Sequence, residues 1–200
     1  MIKALVGWFQ ALFARRKEQR IEEVTLRQIP HLIDFETPSD EAICLHEAGH
    51  ACAALVVELV PEFIEFVDDA GSQGRARNRI PVGEPQQRRL VACAAYAVEY
   101  NLYMAGRLTN ATGVTIDQKA FIQLAIGSNA AHDKVQFFGE NREGPDKRWP
   151  AYDDETFMAT GQGLAKMLPM DLVVALAEAM LNERRVERER ILEIAAPFFK

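Results

Sequence analysis

Apolar residues recur at helical spacing at the amino end of the chain. Leu5, Trp8, Phe9, Leu12 and Phe13 share one face of residues 1–14, and the opposite face is polar. A connector over residues 21–37 follows, ending near Pro30 and Pro38. The next helix is expected to start around Thr37, Pro38 and Ser39 and to run to about Leu59, where Pro61 stops it. Proline suits a first helical turn, and Asp40 and Glu41 suit its positive dipole end. This helix is apolar on most sides, so it belongs in the core.

Residues 63–67 alternate apolar and polar, and an Asp/Gly turn follows before Gly74, Arg75, Ala76, Arg77 and Asn78. That pattern predicts a small hairpin. A Pro/Gly loop (81–85) leads into a long apolar helix over about 86–106. Further helices are expected over 115–127 and 128–138. An exposed loop covers 139–153, and two helices broken near Pro169 fill 154–195. Thr115, with Gln118 three residues on, reads as a capping box. The alternating signs of residues 183–190 read as the solvated face of a helix. The fold class expected is therefore mainly α, with the helix of about 37–59 buried and one short β-hairpin.

Composition narrows the class further. The 200 residues are 48% hydrophobic and 26% charged, enough for one sizeable core and too apolar for a disordered chain. Three cysteines, Cys44, Cys52 and Cys93, make no disulfide framework and suit a reducing, cytoplasmic setting. Cys44 and Cys52 read as small buried hydrophobes. No uncharged apolar stretch has the ~18 residues that a spanning helix needs, and residues 1–20 lack a small-residue cleavage site for a signal peptide. The net charge of −6 argues against nucleic-acid binding. That charge is uneven. Residues 1–20 carry five cations against Glu18, a net +4, which leaves −10 for residues 21–200. Two regions follow: a basic amphipathic helix at 1–20 and a metal-site domain at 21–200. The first is a candidate contact for a membrane surface or a partner protein, since aromatic residues beside a basic cluster suit a headgroup boundary.

The chemistry sits in His46-Glu47-Ala48-Gly49-His50, an HExxH pattern. Four residues make slightly more than one helical turn, so both imidazoles project from one face and can share an ion. Imidazole nitrogens suit Zn2+, and Glu47 lies where a carboxylate can take a proton from a zinc-activated water. A catalytic zinc needs a third protein ligand and an open position. Asp133, Asp117, Glu99 and His132 are the candidates. Asp117 also has an ordinary task at a helix start, and Glu99 suits a position behind a histidine. His31 reads as a surface residue. No glycine-rich phosphate loop is present, so the chain shows no ATP site.

The segment Leu45-His46-Glu47-Ala48-Gly49-His50-Ala51 resembles the active-site helix of the FtsH-type zinc metallopeptidases, the protease domain of membrane-bound AAA proteases. The order that follows is similar over roughly residues 40–140: a hairpin with Gly74-Arg75, a helix with Ala95 to Glu99, then a helix bearing an aspartate. The chain departs from the family's Ala-Gly-x-Ala-Ala-Glu form at residues 93–96. The resemblance implies a helical peptidase fold with an aspartate as third zinc ligand, either Asp133 after Ser128-Asn129 or Asp117 after Thr112-Gly113. Taken with the missing phosphate loop, it points to an ATP-independent, stand-alone hydrolase acting on unfolded or flexible polypeptides, with Glu47 as general base. The rival expectation is a zinc-stabilised helical binding module that works with a membrane or a separate ATPase and catalyses nothing.

Overall fold

A computed structural model describes residues 29–37, 39–67, 76–139 and 151–199. The expected amphipathic helix at 1–20, the Gly74-Arg75 pair and most of the 139–153 loop lie outside the described residues.

The molecule is mainly helical with a small sheet. Its central element is α1 (Asp40–Val56). Ser39 caps it, the Oγ accepting from the Ala42 amide at 3.2 Å, and Asp40 and Glu41 occupy the first turn. The helix ends at Val57, after which Glu58 turns the chain with a φ of 64°. Cys44, Ala48, Ala51, Cys52, Ala53 and Ala54 are fully buried along it. Small side chains let neighbours come close, and α1 packs between α3 (Ala94–Met104) and α7 (Met170–Glu183). The helix expected over 86–106 is two pieces, α2 (Pro85–Ala92) and α3, with a turn at Cys93. Backbone bonding continues through that turn, from the Cys93 amide to Arg89 and from the Ala97 amide to Cys93, both at 3.1 Å. The break therefore leaves no proline or glycine mark. Gln87 fastens the start of α2 by accepting from the Glu84 amide and donating to the Val57 carbonyl, both at 2.8 Å.

Downstream lie α4 (Gln118–Leu124), a π-helical turn (Ala125–Asn129), α5 (Ala131–Phe138), α6 (Ala151–Ala165), α7 and α8 (Arg188–Ala195). The cap of α4 differs from the expected Thr115 box. Asp117 is the N-cap, its Oδ1 accepting from the Ala120 amide at 2.8 Å, while Thr115 bridges to Thr109. Phe121 of α4 stacks on Tyr103 at 4.5 Å and on Phe35 at 5.9 Å, which ties α4 to α3.

The expected hairpin is present as β2 (Phe63–Phe66) and β3 (Ala76–Arg79), antiparallel, with Phe63 opposite Arg79. It is not alone. A third strand, β5 (Arg185–Glu187), pairs with the other edge of β2, and β1 (Ile33–Asp34) runs parallel to β4 (Leu108–Thr109). The helical reading of residues 183–190 is thereby corrected over Arg185–Glu187, while Glu183 is the last residue of α7 and Arg188 the first of α8. Within the strand, alternation follows a two-residue period. Val186 is buried, while Arg185 pairs on the outer face with Glu187 at 2.6 Å and Glu65 at 3.5 Å. Arg184, at a φ of 64°, ends α7 and lies over the Phe66 ring. Cys44, Cys52 and Cys93 are buried and take part in no disulfide among the described residues, and His31 is exposed, bonded to Glu41 at 2.7 Å. No helix among the described residues is long and apolar enough to cross a membrane.

Candidate metal centre

The site forms where α1, α3 and α5 meet. The i, i+4 spacing on α1 turns His46 and His50 the same way, with ring centroids 5.2 Å apart. Each ring is held through Nδ1. His50 Nδ1 donates to the Val91 carbonyl at 2.8 Å, and His46 Nδ1 donates to Glu99 Oε1 at 3.2 Å. A carbonyl or carboxylate oxygen accepts, so each Nδ1 carries a proton and each Nε2 faces the site, where a metal ion could displace any proton on it. Both Nε2 atoms face one buried carboxylate. His50 Nε2 lies 3.4 Å from Asp133 Oδ1, and His46 Nε2 lies 3.6 Å from Asp133 Oδ2.

Asp133 reaches this position because the chain makes a π-helical turn just before α5. The Ala130 amide bonds back to the Ala125 carbonyl, five residues earlier, at 2.9 Å. That extra residue per turn rotates the start of α5. Asn129 and Asp133, four residues apart, then share the face toward α1 and α3. Asn129 Nδ2 donates to Glu99 Oε1 at 3.0 Å, so one carboxylate oxygen serves both Asn129 and His46. The buried Lys134 fixes α5 from behind through Asp154 of α6, at 2.9 Å.

The donor set could hold a metal ion. One ligand atom from each of His46, His50 and Asp133 lies within 4.8 Å of the other two. Tetrahedral zinc with bonds of ~2.1 Å needs ligand atoms about 3.4 Å apart; the His50–Oδ1 and His46–Oδ2 separations of 3.4 and 3.6 Å are near that, each to its own carboxylate oxygen. Asp133 Oδ2 is buried and without a hydrogen-bond partner, which leaves a lone pair for a cation. The electrostatics agree. Burial opposes charge on His46, but the Glu99 hydrogen bond and the Asp133, Glu99 and Glu47 carboxylates outweigh it and push its pKa up to about 10. Burial likewise opposes charge on His50, and Asp133 overcomes it, raising the pKa. Asp133 is held below the usual carboxylate range, its own burial outweighed by the two histidines. The carboxylates thus demand positive charge in this pocket, and a metal ion can take the place of the histidine protons.

Glu47, next to His46, is half-buried, and its Oε2 accepts from Asn78 Nδ2 of β3 at 2.5 Å. A hollow of about 540 Å³ opens beside His46 and Glu47, with Ile33, Phe35, Leu45, Val98 and Leu108 on its walls. Of the residues weighed as third ligand, Asp133 lies with the two histidines. Asp117 caps α4 instead. Glu99 stands behind His46, and His132 is exposed and outside the cluster. Three partners escape a reading of the sequence. Asn78 is one of several polar hairpin residues, and the Val91 carbonyl has no sequence mark. Asn129 does have a signal, the four-residue spacing to Asp133. No protein-family model, curated protein or solved structure matches this chain.

Proposed function

We propose that this chain is a zinc-dependent metallopeptidase of the FtsH-like kind, working without an ATPase module of its own. One observation carries the reading: two histidines oriented through Nδ1 and one buried aspartate bring a ligand atom each within 4.8 Å of the other two, beside the Glu47 carboxylate. Among the described residues the cluster offers three ligands and no fourth, which is the count of a catalytic site.

When bound, zinc polarises a carbonyl and lowers the pKa of water toward ~7. The chain supplies the rest. Glu47, steadied by Asn78, accepts the proton of the attacking water and later hands it to the departing amine. His46 and His50 are kept in the Nδ1–H form by Glu99 and Val91, so their Nε2 atoms stay available as ligands. β3 is an edge strand of the order β3-β2-β5, with no strand on its outer side among the described residues. An extended peptide can pair along such an edge and place its backbone next to Glu47. The apolar hollow beside Glu47 suits a large apolar side chain of that peptide. These features favour unfolded or flexible polypeptides as substrates.

The test is zinc content by atomic emission together with cleavage of reduced, unfolded casein. Glu47→Gln is expected to retain about one zinc while its cleavage rate falls at least ~100-fold, the scale of a lost general base. A variant that binds zinc and cleaves at the native rate refutes the mechanism.

A further inference from the structure

The peptidase reading gives no task to a second hollow, of about 540 Å³, lined by His50 and Asp133 where the first is lined by His46 and Glu47. His50 and Asp133 form its inner wall, and Asn78, Arg79, Arg88, His132 and Gln136 supply its polar lining. Asp133 is the one acidic group there, and its carboxylate is turned to the histidines. Of the two arginines, Arg79 is engaged with Glu62 at 3.0 Å. Arg88 is different. Its Nε is shut off from water and has no hydrogen-bond partner, and its guanidinium makes no ion pair with a described residue.

Arg88 is also held in place. It lies on α2, one turn before Val91, whose carbonyl orients His50. Its far end rests against Gly139, where an added Cβ would fall 2.8 Å from Nη2. Gly139 has a φ of 71° and closes α5, the helix of Asp133. The half-buried Arg88 thus brings its guanidinium from α2 to the end of α5, the two helices that build the His50–Asp133 side of the site. A buried, unpaired N–H of a charged group carries its full desolvation cost. The planar guanidinium fork is matched by a carboxylate, which accepts two parallel N–H bonds.

We propose that this hollow is a carboxylate subsite and that Arg88 is its anchor, binding an acidic side chain or the terminal carboxylate of a peptide lying across the metal centre. The proposal rests on the peptidase reading for its choice of a peptide as ligand. It adds a specificity: apolar on the Glu47 side of the cleft, acidic on the Arg88 side.

Binding separates it from catalysis. The full chain carrying Glu47→Gln, with zinc present, is titrated against fluorescein-labelled alanine octapeptides containing one phenylalanine. Glutamate is scanned through the other positions, with glutamine as its isostere, and each peptide is made with a free and an amidated carboxyl end. Fluorescence anisotropy is the readout. One glutamate position, or the free carboxyl end, is expected to bind at least about tenfold tighter than its glutamine or amide counterpart. The scanned and amidated arms tell the two carboxylate sources apart. In Arg88→Gln that ratio should fall to about one, and Arg88→Lys, which keeps the charge but not the fork, should lie between. Thermal unfolding and zinc content check that both variants fold. Equal affinity for acidic and isosteric peptides, or a preference that survives Arg88→Gln, overturns the subsite. Cleavage of the same peptides by the native chain reports separately on the peptidase reading. Cleavage with no acidic preference removes Arg88's role alone, and an Arg88-dependent preference with no cleavage removes catalysis alone.

Discussion

Replacing Gly49 with alanine tests how tightly the metal helix is seated. Gly49 is the fourth residue of the HExxH pattern, buried where α1 crosses α3. A Cβ there would stand 2.8 Å from Val98 Cγ2 and 3.2 Å from the Ala94 carbonyl oxygen. The first distance is below any real van der Waals contact. The second involves backbone, which cannot rotate away, and Val98 is itself fully buried. So α3 must back off by several tenths of an ångström. Two opposing terms set the outcome. Alanine in a helix interior gains ~1 kcal/mol over glycine, whereas forcing a methyl into a packed core costs typically ~1–3 kcal/mol. The net is a loss of up to about 2 kcal/mol. At roughly 2–4 °C per kcal/mol for a chain of this size, Tm should fall by up to about 8 °C. Zinc affinity should fall too, because α3 carries Glu99 and the 3.2 Å bond to His46 lengthens as α3 retreats. Circular dichroism melts with and without zinc measure both effects. Gly127→Ala is the control. Gly127 is exposed with nothing within 4 Å of its added Cβ, so no loss is expected there. Adding Val98→Ala to Gly49→Ala should cost less than the two changes summed. A Gly49→Ala chain that melts above the native temperature would refute the close-packing argument.

Asp133→Ala should weaken zinc binding beyond the ~10–100-fold typical of a lost outer partner, as read by competition with a chromophoric chelator. Asp117→Ala should leave the metal in place and cost about 1 kcal/mol as a lost N-cap. The reverse result would exchange their roles. Burial pushes the thiols of Cys44, with Asp40 adding to the effect, and of Cys93 up to about 12 from an ordinary 9.0. A thiol pKa raised by folding contributes stability that is intact below the unfolded value and lost as pH rises toward the folded one. Urea midpoints should therefore fall between pH 9 and 12. Cys93→Ala should flatten that fall, and rapid native-state labelling of Cys93 by iodoacetamide at pH 8 would contradict it.

The histidines of the site are legible in the sequence because their geometry closes within one helical turn. The third ligand is not, and the reason is local similarity. Asp117 and Asp133 both sit at the start of a short helix, one as cap and one in the first turn, and an acidic residue suits either place. What separates them is the π-helical turn ahead of α5 and the seat of α5 on α2, both settled by long-range packing. The same distinction explains the fold. The buried central helix and the hairpin follow from pattern alone. The kink at Cys93 keeps its backbone bonds and is silent, and β5 carries a charge alternation that fits a strand and a helix surface alike until β2 offers it an edge. Glu99, Val91 and Asn129 hold the ligands through contacts 53, 41 and 30 residues apart in the chain. No two adjacent segments can therefore assemble the centre. The Nε2 atoms take their orientation from α2 and α3, and the carboxylate takes its place from α5. The HExxH helix on its own supplies two histidines, and only the packed chain sets them against Asp133 as a group that could hold a metal ion.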